Sequence, residues 1–144
     1  MRTVNISNAA RQAKSDDKKK AEETHMVKVF TMDVQSLLLY PKVEESCLYY
    51  KLCCHNFTFF DLVTHDCTCY FWNETATDLS ASTFVSCVID LLESTDLDKI
   101  KKVILYSDGC EYQNRNVTLS NTLSAFAKKH GIIVEQKFLE RGQT

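Results

Sequence analysis

Val103-Ile104-Leu105-Tyr106-Ser107-Asp108-Gly109 is the stretch whose reading decides the fold. An uninterrupted apolar run followed by an acid and a glycine fits a central strand buried on both faces, because successive side chains then meet apolar layers above and below. Working outward, Ser80 is placed to cap a helix in which Phe84, Val85, Val88, Ile89, Leu91 and Leu92 recur at three- and four-residue steps. That helix should end near Ser94. Downstream, Val117, Leu119, Leu123, Phe126 and Ala127 mark a second helix, closed by Lys128 and Lys129 and by Gly131 in the C′ position. Ile132 to Leu139 then forms a last strand. A strand between two helices, followed by another strand, implies parallel pairing in this half of the chain.

The first half has a different texture. Met26 to Val34 is short, β-branched and mostly apolar, with Asp33 near its end, and reads as another largely buried strand. Cys47 to Val63 is rich in Tyr, Phe and Cys; Thr64-His65-Asp66 offers a polar turn before Cys67 to Trp72 resumes the strand pattern. This predicts an antiparallel hairpin. The expected order is strand, strand, strand, helix, strand, helix, strand: an α/β domain over residues 26–144, with antiparallel strands first and helix-linked parallel strands after. Residues 1–25 carry Arg11, Lys14, Lys18, Lys19 and Lys20 diluted by Asp16, Asp17, Glu22 and Glu23, and read as a charged arm or exposed helix.

The chain has 144 residues, 44% of them hydrophobic and 25% charged, which supplies a core and excludes a disordered or collagen-like class. With three glycines and one proline, an all-β array of tight hairpins is disfavoured. A net charge of −2 gives no bulk attraction to a polyanion, so contact with DNA has to rest on local patches or metal ions. Seven cysteines form an odd set without a CxxC pair, and free thiols are expected. No stretch has the length of a membrane span, and Met1 to Ala13 lacks the apolar core of a signal peptide. The expected setting is therefore soluble, nuclear or cytoplasmic and not secreted, with the glycosylation sequons at Asn5, Asn56, Asn73 and Asn116 accidental.

Asp33 and Asp108 carry the sharpest chemical signal, because each lies at the end of an apolar strand. If those strands are parallel neighbours, their carboxyl ends bring two like charges together, which then share a proton or bind a cation. Oxygen ligands favour Mg²⁺ or Mn²⁺ over zinc. The alternative is that both acids cap turns. After Asp108, residues 109–116 pack amides and a guanidinium (Gln113, Asn114, Arg115, Asn116) into the turn before a helix, where such groups orient carboxylates or hold phosphate.

Thr31-Met32-Asp33-Val34-Gln35, and Leu105-Tyr106-Ser107-Asp108-Gly109-Cys110 with Gln113-Asn114-Arg115-Asn116, resemble the catalytic core of transposon-derived proteins of the RNase H-like (DDE transposase and integrase) class. The resemblance runs from Val27 to Gly142. It implies an RNase H-like mixed sheet with helices packed on it, and acids on the first and fourth strands joined by a third on a later helix. Such acids hold two metal ions about 4 Å apart that stabilise the attacking and leaving oxygens of phosphodiester transfer. Asp33 and Asp108 match the first two by position. The third has no match: Glu135 falls within the last strand and Glu140 at its end. The resemblance therefore implies an incomplete transposase-like core, weak or inactive alone, with Mg²⁺ or Mn²⁺ held by Asp33 and Asp108, DNA as partner and a homo-oligomer allowed. No small-molecule cofactor or membrane partner is expected.

The competing reading is a non-catalytic nuclear adaptor that keeps the fold and binds DNA or protein through the basic arm and the Gln113 to Asn116 turn. A nucleotide binder lacks a Gly-rich phosphate loop. A zinc site at His55, His65, Cys67 and Cys69 lacks the usual knuckle spacing, and buried thiols are expected instead. A Cys110–His130 nucleophilic pair lacks an elbow motif. Of the aromatic cluster (Tyr49, Tyr50, Phe57, Phe59, Phe60, Tyr70, Phe71, Trp72), about half is expected in the core.

Overall fold

The computed structural model describes residues 2–35, 38–40, 52–76, 80–108 and 117–139. In chain order the elements are α1 (Arg2–Thr24), β1 (Val27–Val34), β2 (Leu38–Tyr40), β3 (Leu52–Asp61), β4 (Cys67–Asn73), α2 (Ala81–Ser94), β5 (Lys102–Asp108), α3 (Val117–His130) and β6 (Ile133–Leu139). The strands form one mixed sheet. Pairings β4–β3 and β3–β1 are antiparallel, whereas β1–β5 and β5–β6 are parallel.

Strand β2 continues β1 along the same edge of β3. From Val34 to Leu38 the chain advances four residues while the facing partners, Phe57 to Cys54, advance three. The register against β3 therefore shifts by one residue between β1 and β2. The sheet thus has five positions across: β4, β3, β1 with β2, β5 and β6.

Alternation along the strands divides the core into two layers. Phe30 and Met32 of β1, Phe57 and Phe59 of β3, Trp72 of β4 and Val103 and Leu105 of β5 pack under α2 and α3. Helix α2 contributes Phe84, Val85, Val88, Leu91 and Leu92, and α3 contributes Leu119, Leu123 and Phe126. The ring of Phe84 meets Phe57 edge-on at 5.3 Å and Trp72 at 6.0 Å, the geometry that aromatic quadrupoles favour. On the opposite face Val29, Ile104, Tyr106 and Leu139 pack with Ala21 of α1. Strand β5 is therefore buried on both faces, as its sequence requires: Val103 and Leu105 have no exposure, Ile104 and Tyr106 2%.

Local signals act where expected. The Ser80 hydroxyl accepts from the Thr83 amide at the start of α2, and Gly131 ends α3 with φ +65°, a left-handed conformation that costs glycine little. The β3–β4 hairpin is held from inside by Asp61. Its Oδ1 accepts from the amides of Val63 at 2.8 Å and Thr64 at 3.2 Å, and its Oδ2 from Lys28 Nζ at 2.7 Å.

Burial alone raises the Asp61 carboxyl, but the Lys28 hydrogen bond and the two turn amides outweigh it and hold the group below the ordinary carboxylate value. A carboxylate lowered on folding contributes stability that is complete above its unfolded value, about 3.9. That contribution is lost as pH falls through the folded value. Asp61→Asn should cost about 3 kcal/mol at neutral pH, because it leaves Lys28 without its buried partner. Urea midpoints should show the gap between wild type and variant closing below about pH 4; an unchanged gap would mean that Asp61 acts through shape alone.

Candidate functional site

The parallel register of β1 and β5 ends, in its last ladder pair, at Met32 beside Ser107. The next residue on each strand is an acid, so Asp33 and Asp108 occupy adjacent positions at the carboxyl ends of neighbouring strands. Their backbones are separated by one strand spacing, about 4.8 Å. Asp33 is exposed. Across the sheet the same row continues to Leu139 of β6 on one side and to Thr58 of β3 and Cys69 of β4 on the other. At the level of the backbone the two acids therefore share one row of the sheet. Gln113, Asn114, Arg115 and Asn116 lie outside the described residues, as do Tyr49 and Tyr50.

The row holding Asp33 belongs to the α1 side of the sheet, because Asp33 alternates with Val27 and Val29, which pack in the α1 layer. Helix α1 is docked there by a polar latch. Asp17, 8% exposed, accepts from Tyr106 Oη at 2.7 Å and from Lys137 Nζ at 2.5 Å. Tyr106 stands one alternation below Asp108 on β5, so the latch adjoins the acid row. Lys137 is also 3.8 Å from Glu135, which in turn pairs with Lys102 at 2.5 Å. Burial works against the Asp17 carboxylate, yet the hydrogen bonds from Lys137 and Tyr106 hold its pKa below the ordinary carboxylate value; burial and the Asp17 bond together push that of Tyr106 up.

The basic residues of the amino-terminal segment now separate. Lys14 Nζ lies 6.0 Å from the centre of the Tyr106 ring, and burial lowers its pKa. Lys18 pairs with Glu22 at 3.8 Å, while Arg11, Lys19 and Lys20 are exposed. The segment is a helix with one stripe, Ala10, Lys14, Asp17 and Ala21, turned to the sheet, and is not solvated all round. Sequence reasoning set Asp17 aside as dilution of the basic charge. The available signal was spacing, since those four positions recur at helical three- and four-residue steps.

Two expectations are corrected or refined on the open part of the sheet. Cys67 and Cys69 are exposed rather than buried, because among the described residues β4 is the edge strand of the sheet and the α1 layer includes none of its side chains. The aromatic residues divide: Phe57, Phe59 and Trp72 are core, whereas Phe71 is 60% exposed. Among the described residues no three His, Cys, Asp or Glu side chains stand close enough to hold a metal ion, and no helix is long and apolar enough to cross a membrane.

Asp17→Ala should release α1 while leaving the α2/α3 core in place, at a cost of about 3 kcal/mol. Hydrogen exchange reads this directly: amides of α1 should lose protection and those of β5 keep it, and equal loss in both would refute a separable latch. No known family model matches the chain, and no curated protein matches it in sequence.

Proposed function

We propose that the chain is an RNase H-like core of the DDE transposase and integrase type, with Asp33 and Asp108 as its paired metal ligands. The observation that carries this reading is the register: the two strands that bear acids at or near their carboxyl ends are parallel neighbours, and the acids follow the last pair of their ladder, Met32 and Ser107. The strand order adds support. With β2 counted as the continuation of β1, three antiparallel strands are followed by two helix-linked parallel strands on the far side of β1, which is the arrangement the resemblance implies.

The donor set fits a hard cation. Two carboxylates on adjacent strands repel each other, and a divalent ion with oxygen preference removes that repulsion. When bound, such an ion supplies charge stabilisation for oxygens around a phosphorus centre. The protein's own part is to hold Asp33 and Asp108 on the stiff central strands. Two acids are one fewer than the resemblance calls for, so strand cleavage by this chain is expected to be weak.

Metal binding separates the reading from its competitors better than cleavage does. At ten times its dissociation constant, Mn²⁺ should stabilise the protein by about 1.4 kcal/mol, a rise of a few degrees in Tm. Asp33→Asn and Asp108→Asn should each abolish that rise and, by relieving repulsion, melt no lower than wild type without metal. A Mn²⁺ response that survives both substitutions sinks the proposal. Salt-dependent DNA binding with no metal response would favour the adaptor reading, through Arg11, Lys19 and Lys20.

A further inference from the structure

The outer edge of the sheet carries a feature that the acid pair does not use. Cys67 and Cys69 stand on one face of β4, both exposed, with their sulfurs 3.8 Å apart. Thr58 Oγ1 lies 3.7 Å from the Cys69 sulfur, and Phe71, next on the same face, is 60% exposed. Among the described residues β4 pairs only with β3, so its other edge is unpartnered.

Geometry selects among the things two such thiols do. Residues two apart on an extended strand have Cα atoms about 6.6 to 6.8 Å apart, at the upper limit of what a disulfide spans, so an internal bridge would strain the strand. A tetrahedral zinc ion with bonds of about 2.3 Å to sulfur separates its thiolates by about 3.8 Å. The observed spacing is that edge of the tetrahedron. Structural zinc is four-coordinate, and no third His, Cys, Asp or Glu among the described residues is near enough to join the pair.

We propose that Cys67 and Cys69 are half of a zinc tetrathiolate site, completed by the same two residues of a second copy of this chain. The ligand count requires two more soft donors, and a two-fold axis beside β4 supplies them in matching geometry. The same association covers Phe71 and the edge of β4 that has no partner among the described residues. This site is independent of the Asp33–Asp108 reading, since it uses other residues and a softer metal.

The test uses the full chain, reduced with a non-thiol reductant and stripped of metal, then titrated with Zn²⁺. Sedimentation equilibrium should show the mass doubling, with one zinc retained per two chains, and Co²⁺ in its place should give a thiolate charge-transfer band. Cys67→Ser/Cys69→Ser should lose the dimer, the zinc and the band, while melting as wild type does in chelator, since both positions are exposed. Zinc-independent mass, or zinc retained by the double variant, overturns the proposal. A monomer that holds zinc through both cysteines refutes the second-copy completion.

Discussion

The parallel pairing of β1 with β5 is the constraint on which the rest depends. Strand β5 is buried above and below, so a one-residue slip would turn Val103 and Leu105 out of the α2/α3 layer and Ile104 and Tyr106 out of the α1 layer. Packing on both faces therefore locks the register. Three consequences come with it: Asp33 beside Asp108, Tyr106 within reach of Asp17, and Lys137 next to both through the β5–β6 ladder.

The two layers differ in kind. Under α2 and α3 the contact is aromatic and aliphatic, with Phe59, Phe57, Phe84 and Trp72 linked ring to ring in that order, and it is held by removal of apolar surface from water. Under α1 the apolar share is smaller and a buried carboxylate does the positioning. Such a latch adds little net stability compared with an apolar contact of the same size, but breaking one side of it is expensive. It therefore specifies where α1 sits, and in doing so brings Lys14 over Tyr106, close to the acid row.

Much of this was legible in the residues. The Ser80 cap, the apolar stripe of α2, the Lys128-Lys129 end of α3 with Gly131 after it, and the His65 turn are local signals whose physics acts within a few residues, and β1, β4, α2, β5, α3 and β6 lie within about two residues of their expected bounds, while β3 is described from Leu52, not from Cys47. Strand β2 was not legible, because it is three residues long and is defined by its pairing with β3, which leaves no periodic signal in residues 38–40. The exposure of Cys67 and Cys69 was not legible either. Alternation says that they share a face; only the reach of α1 says that this face is open at β4.

By itself, then, the chain's residue order determined the elements apart from β2, their parallel or antiparallel sense, and the presence of an acid at or near the end of each of two apolar strands, since periodicity, capping and connection length are encoded locally. Tertiary structure decided which face those acids share, that α1 lies over part of that face, and that Cys67 and Cys69 are exposed on it. These are relations among residues up to 120 positions apart, as between Asp17 and Lys137. Close packing under two different layers sets them, and no local pattern carries that information.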